Sequence, residues 1–323
     1  MQALARRLLA ALELSRITVA FGAVANVWLM VLLARSDARL ELSEVATRPL
    51  WQVLAAGALV ATGFLTFGAA LNDFLDEKHD RAFAPQRPLP AGRLASRRAI
   101  QIAAIALCSG MLGAAAFGTA GTFAAIALAA VVLVYDAFAK HVPGLGIVLG
   151  GLATAASMAV PCVGHHAIVP VWLAMSQSMG LGALAYILGE KRPKLTARAV
   201  FVGAAGWAAA SAALFWLELE RNDGRLLEGW IRTDRAWIPL AAVLLGAIVC
   251  AWKLRKVRGA LASEKTLRYG SLWKSLVASA WLVAAGLPVP AAWIAGVAVA
   301  VFTLTALMRE AGPQLAEPVS WRS

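Results

Sequence analysis

Residues 72–80 read Asn-Asp-Phe-Leu-Asp-Glu-Lys-His-Asp, so Asp73, Asp76 and Asp80 recur at intervals of three and four. That spacing puts the three carboxylates on one helix face. Stacked carboxylates repel one another and stay ionised only where a cation sits between them. Hard oxygen ligands suit Mg²⁺, which keeps waters and bridges protein carboxylates to phosphates. Asn72, Asp73, Asp76 and Asp80 are therefore the candidate metal ligands, and the three aspartates are candidate catalytic residues. Arg81, Arg87, Arg93, Arg97 and Arg98 follow, with the turn-forming Pro88-Leu89-Pro90-Ala91-Gly92 among them. Acid followed by base reads as a diphosphate site, with Asn72, Arg81 and Arg87 on the substrate.

The elements that must position these residues are membrane helices. Of 323 residues, 60% are hydrophobic and only 15% charged, and mean hydropathy is +0.71. The apolar blocks are continuous and of helix-spanning length, which excludes a soluble domain and disfavours a β-barrel. Spans are predicted at 17–34, 51–72, 98–117, 119–138, 145–163, 168–188, 198–217 and 236–253. The apolar region 272–308 is divided by Gly286-Leu287-Pro288-Val289-Pro290, as two helices or one span with a re-entrant piece. The expectation is an all-α, polytopic bundle of nine or ten transmembrane helices, forming one domain over 1–323. Residues 1–16 read as an amphipathic helix on the membrane surface, not as a signal peptide.

The net charge of +12 would suggest nucleic acid in a soluble chain. In a membrane chain it implies basic loops facing anionic lipid, and nucleic acid is excluded as a partner. Loops on the side of the aspartates hold 21 of the 30 Lys and Arg residues. The positive-inside rule places that side in the cytoplasm, with a bacterial inner membrane as the setting. Cys108, Cys162 and Cys250 lack metal-ligand spacing and read as small buried hydrophobes. Among polar groups inside spans, Asn26, Ser176, Gln177 and Ser178 read as interhelical hydrogen-bonding groups or as a cavity lining. Asn26 is carried forward as a substrate-binding candidate. His165 and His166 lie in an outer loop, His79 points off the aspartate face, and Trp51, Trp172, Trp230 and Trp237 fit interfacial anchoring.

Asn-Asp-x-x-Asp-x-x-x-Asp after the second span, followed by Arg87-Pro88-Leu89-Pro90-x-Gly92, resembles the first signature of the UbiA superfamily of intramembrane prenyltransferases. The resemblance implies helices around a central cavity, capped by cytoplasmic loops. It also implies a Mg²⁺-bound prenyl diphosphate, ionisation at the allylic carbon and a hydrophobic or aromatic acceptor, within reach of membrane lipid. Tyr135-Asp136-Ala137-Phe138-Ala139-Lys140-His141 lies where the superfamily carries a Tyr and a Lys. Lys140 is then the candidate catalytic contact to diphosphate and Tyr135 lines the cavity; the run looks closest to an EboC-like branch. Read as residues alone, the same run is a helix end with an Asp136–Lys140 pair at i, i+4. The superfamily's second aspartate-rich motif falls at Gly189-Glu190-Lys191-Arg192-Pro193-Lys194. Glu190 is the lone candidate metal ligand there, and Lys191 and Arg192 are candidates for diphosphate oxygens.

Two other classes compete with a transferase. A transporter would carry acidic groups near span centres, whereas these cluster at the membrane boundary. A non-catalytic relative that binds an isoprenoid or lipid phosphate is favoured by the depleted second motif. The sequence leaves the acceptor, the prenyl chain length and the oligomeric state open.

Overall fold

A computed structural model of the chain describes residue 16 and residues 20–85, 87–165, 167–191, 193–222, 224 and 234–316. Among the described residues there are helices and no strands. The ten long helices are α1 (Ala20–Ser36), α2 (Leu50–Leu75), α3 (Ser96–Ala115), α4 (Gly118–Ala137), α5 (Pro143–Ala159), α6 (Ile168–Leu188), α7 (Ala197–Arg221), α8 (Trp237–Leu254), α9 (Ala260–Ala284) and α10 (Pro288–Ala316). Among the described residues, seven stretches are long and apolar enough to cross a membrane: α2, α3, α4, α6, α7, α8 and the Pro288–Leu307 part of α10. At 17 residues each, α1 and α5 are shorter apolar helices.

The predicted spans coincide with helices to within a few residues, with one substantial correction. The region expected at 272–308 is two helices, and the first begins at Ala260. Lys265, Arg268 and Lys274, read as part of a basic loop, therefore lie on α9. Ala260, Leu261, Ala262, Glu264, Lys265, Leu267 and Arg268 are all strong helix formers, so a helix forms through the charged stretch. Gly286 at φ 82° ends the connection after α9, and Pro288 opens α10 at a position where a missing N–H costs nothing. The surface helix expected over 1–16 lies outside the described residues, apart from Arg16.

Small residues set the packing, as the apolar surroundings of a membrane bundle require. A Cβ on Gly63 of α2 would come within 2.6 Å of the Gly110 nitrogen and 2.7 Å of the Ala106 oxygen of α3. The two backbones therefore meet with no room for a side chain. α9 packs on α1 in the same manner, with the Gly22 N–H donating to Ser271 Oγ at 2.8 Å. Ser275, Ser279 and Thr266 on α9 are buried and donate to carbonyls one turn back. Their hydroxyls thus need no partner from lipid. Packed neighbours α1, α2, α4, α5, α6 and α9 close a circuit, and α1 crosses it to touch α5. α3, α7, α8 and α10 pack outside.

On the side of the bundle away from the aspartates, a polar cluster ties the ends of α1 and α5 together. Asp37 pairs with Arg39 at 2.8 Å, and His165 Nδ1 lies 3.3 Å from Asp37 Oδ2. The Arg39 hydrogen bond, outweighing partial burial, lowers the Asp37 pKa to about 2. The side chain of His165, read from the sequence only as an outer-loop residue, is 1% exposed there; His166 lies outside the described residues.

Candidate diphosphate site

The aspartate run begins inside α2 and leaves it without losing helical register. α2 ends at Leu75, Asp76 adopts φ −89° and ψ 1°, and a short helix, Glu77–Phe83, resumes at once. The Asp76 N–H donates to the Asn72 carbonyl and the Asp80 N–H to the Asp76 carbonyl, so the i, i+4 pattern survives the join. Asp73 is 6% exposed and Asp80 is 4% exposed. Carboxylates buried to this degree require partners, and each finds a cation.

Arg87 supplies the first. Its Nη1 lies 2.6 Å from Asp80 Oδ2 and 3.8 Å from Asp73 Oδ1, so one guanidinium nitrogen serves both carboxylates. The turn that holds it is folded by its own backbone. Arg93 and Leu94 N–H groups both donate to the Pro88 carbonyl, and Gly92 takes φ 68°, where an L side chain is strained. Leu89 and Leu94 anchor that turn in the α2–α3 core. Glu77 fastens the opposite edge: Ser96 Oγ donates to it at 2.6 Å and Arg81 pairs with it at 2.7 Å. The Ser96 hydroxyl first, and Arg81 second, hold the Glu77 carboxyl below its ordinary value.

Lys140 supplies the second cation, on a side chain only 10% exposed. Its Nζ lies 2.8 Å from Asp76 Oδ1 and donates to Asn72 Oδ1 at 3.3 Å. This corrects the Asp136–Lys140 pair expected from i, i+4 spacing. α4 stops at Ala137, Phe138 adopts φ −133°, and the 3₁₀ turn Ala139–His141 swings Lys140 toward α2. Asp136 stays behind, 2% exposed, with its Oδ2 unpartnered. The third cation is Arg16, whose Nη2 lies 3.5 Å from Asp73 Oδ1.

The structure therefore gathers Asn72, Asp73, Asp76, Asp80, Arg87 and Lys140, with Tyr135 in electrostatic reach of Arg16 and Asp76. Lys191 stands near enough for the Arg16 and Arg87 charges to act on it, and among the described residues the other sequence candidates make no ion pair with this cluster. Arg81 is turned to Glu77, and Asn26 is buried in α1 with its Nδ2 unpartnered. Glu190 is exposed in the turn after α6, at φ 52°. Lys191 also reaches solvent, yet the protein crowded around it, and then the Arg16 and Arg87 charges, lower its pKa below the ordinary 10.5. Arg192 lies outside the described residues. Sequence reasoning missed Arg16 and Asp136 as site residues. Arg16 had one signal, its place as the last basic residue before the first span; Asp136 was hidden by the assumed pairing with Lys140.

Among the described residues no three His, Cys, Asp or Glu side chains form a ready-made metal cage. Mg²⁺ does not demand one, because one or two carboxylates, waters and substrate phosphates complete its shell. Asp73 and Asp80, brought onto a single Arg87 nitrogen, and the amide oxygen of Asn72 fit that lighter requirement. With Arg16, Arg87, Lys140 and Lys191 near them, the same cluster suits a metal-bound polyanion.

No curated protein matches this sequence significantly. The fold is similar to a solved structure of digeranylgeranylglyceryl phosphate synthase in membranes, at 16% identity and a TM-score of 0.55, covering 86% of this chain and 98% of that one. An apo UbiA homologue from Aeropyrum pernix K1 shares 15% identity with a TM-score of 0.48, over 90% of this chain and 98% of that one. A UbiA homologue from Archaeoglobus fulgidus bound to DMAPP and Mg²⁺ shares 14% identity with a TM-score of 0.44, over 91% and 99%. Residues 42–276 match the profile of the UbiA prenyltransferase family, a stretch that includes the aspartate run, the Arg87 turn and Lys140, and the chain belongs to that family.

Proposed function

We propose that this chain is an intramembrane prenyltransferase that moves an isoprenyl group from its diphosphate to a hydrophobic or aromatic acceptor. The observation that carries this reading is the pairing of every aspartate in the run with an Arg or Lys, the side chains suited to phosphate. Asn72, Asp73 and Asp80 would hold a metal diphosphate through its metal, and the Arg and Lys partners of the aspartates would then be free for its phosphate oxygens. Mg²⁺, when bound by Asn72, Asp73 and Asp80, with Asp76 beside them, supplies charge stabilisation for the departing diphosphate. Arg87 forks onto its oxygens, Lys140 and Arg16 add point charges, and Lys191 closes the rim.

The allylic carbon–oxygen bond then breaks and the electron pair leaves with diphosphate. The apolar helices beneath form the dry central cavity of this reading, keeping water from the allylic cation. The acceptor's nucleophilic atom bonds to the allylic carbon and gives up a proton. Asp136 is the group we assign to receive it, because its buried Oδ2 has no hydrogen-bond partner among the described residues. A buried carboxylate in that state is a liability for stability alone. The site faces the cytoplasm in a nine- or ten-span bundle, where the excess of Lys and Arg lies. The Tyr135-to-His141 run favours the EboC-like branch.

A non-catalytic prenyl or lipid phosphate binder is the second reading, favoured by the exposed position of Glu190, the one carboxylate at the second motif. Incubation of purified protein with Mg²⁺, labelled geranylgeranyl diphosphate and a panel of phenolic and lipid acceptors separates the two. A prenylated product supports the transferase. Tight Mg²⁺-dependent binding with no product on any acceptor, and no diphosphate release, would leave the binder.

A further inference from the structure

A cavity of about 590 Å³ lies between α6, α8 and α9, within the range of sites that hold lipid-sized ligands. One face of α6 forms its first wall through Leu173, Gln177, Gly180, Leu181, Leu184 and Leu188. By helical rise that wall is about 22 Å long, close to one leaflet and a half of hydrocarbon. The opposing wall comes from α8, and Trp273 of α9 forms the floor, fixed by its Nε1 donating to the Ala242 carbonyl at 3.1 Å. α6 and α9 touch where Gly270 meets the Leu181 side chain, and the Gly259 N–H donates to the Leu188 carbonyl at the rim. None of the residues lining the cavity belongs to the aspartate cluster. α7 packs on α5 and α6 while α8 packs on α9.

The polarity of the slot is one-sided. Its interior is leucine, glycine, alanine and valine, with Cys250 and with Ser176 already accepting from Trp207 Nε1. Gln177, 8% exposed and with an unpartnered Nε2, is the polar exception at mid-depth. Arg255 and Arg258 stand at the rim, exposed, and no lining residue is acidic. Both belong to the end of the bundle that carries the diphosphate cluster, because α8 ends there beside Leu188 and Gly259.

We propose that this slot is a second, separate site that takes one acyl chain of an anionic bilayer phospholipid, with the phosphate held by Arg255 and Arg258. The apolar length fits a chain, and the two guanidinium groups fit a phosphate at the depth where a headgroup lies. Gly180 gives a clean handle, since a Cβ there meets nothing within 4 Å and a large side chain would fill the slot.

The test is native mass spectrometry of the full chain in detergent, titrated with dioleoyl phosphatidylglycerol or dioleoyl phosphatidylcholine, with neither Mg²⁺ nor prenyl diphosphate present. The wild type is expected to retain phosphatidylglycerol about 30-fold more tightly, from about one kcal/mol per arginine. The Arg255→Gln, Arg258→Gln double variant should bind the two lipids equally. Gly180→Phe should lose the retained lipid altogether while still binding geranylgeranyl diphosphate with Mg²⁺. Equal retention of the two lipids by the wild type would overturn the headgroup assignment, and a preference that survives the arginine substitutions would do the same. Unchanged retention in Gly180→Phe would overturn the chain's place in the slot. Because the lipid titrations contain no diphosphate, their outcomes stand or fall apart from the transferase reading.

Discussion

Removing Arg87 should move two affinities in opposite directions. In the free protein its Nη1 sits 2.6 Å from Asp80 and 3.8 Å from Asp73, so it occupies the ground a divalent cation would take. In the diphosphate complex the same guanidinium is assigned to the phosphate oxygens. Arg87→Ala should therefore tighten binding of a lone divalent ion and weaken binding of the prenyl diphosphate. A fully buried pair would put the second effect at about 3–5 kcal/mol. The Arg87 side chain is 39% exposed, so solvent screening reduces it to about 1.5–3 kcal/mol, the range of a charged hydrogen bond. At 1.4 kcal/mol per decade that is a roughly 10- to 150-fold loss in diphosphate affinity. Arg87→Lys keeps the charge without the fork and should fall between. Mn²⁺ binding followed by electron paramagnetic resonance reads the first affinity, and competition against labelled geranylgeranyl diphosphate reads the second. If both affinities fell together, or neither moved, the exchange of Arg87 between carboxylates and phosphate would be wrong.

Three further outcomes follow from other parts of the molecule. Asp136→Asn should slow prenyl transfer by about 10²- to 10⁴-fold with diphosphate affinity unchanged, the signature of a lost proton acceptor; steady-state kinetics beside equilibrium binding would show it, and equal loss of both would not. Gly63→Ala should destabilise the fold by about 1–3 kcal/mol of overpacking, seen as a lower unfolding temperature in detergent, because the atoms it meets are backbone of α3. Gly180→Ala, with open space around its Cβ, should not. Asp37→Asn should destabilise by about 1 kcal/mol at pH 7, given that Arg39 is 55% exposed. The Asp37 pKa is depressed to about 2 from 3.8, so its contribution is complete above about pH 5 and is lost as pH falls through about 2. The melting difference from wild type should close over that interval; a constant gap would mean that the carboxylate charge is not what stabilises the loop.

Much of the fold was legible because apolar blocks and their breaks carry it. α6 spans Ile168–Leu188 as predicted, and Pro and Gly divide α9 from α10 where the break was expected. The start of α9 was hidden because Lys265, Arg268 and Lys274 give the composition of a loop to a helix whose serines satisfy themselves. At the site, Asp73, Asp76 and Asp80 could be placed on one face from spacing alone. Which cation meets which carboxylate could not, since it depends on one dihedral: helix α4 breaks at Phe138, and Lys140 reaches Asp76 instead of Asp136. Arg16 is 57 residues from Asp73 along the chain, and nothing local announces that they meet. The α6–α8–α9 slot likewise depends on three helices whose sequences are each simply apolar.

The central claim is that the aspartate run holds a metal diphosphate for ionisation. It is tested most directly by Mg²⁺-dependent release of labelled diphosphate from geranylgeranyl diphosphate, comparing wild type with Asp73→Asn at matched helicity. Release that requires Mg²⁺ and falls at least about 100-fold in Asp73→Asn is the predicted result. Release that persists unchanged in Asp73→Asn, or that proceeds equally without the metal, would contradict it.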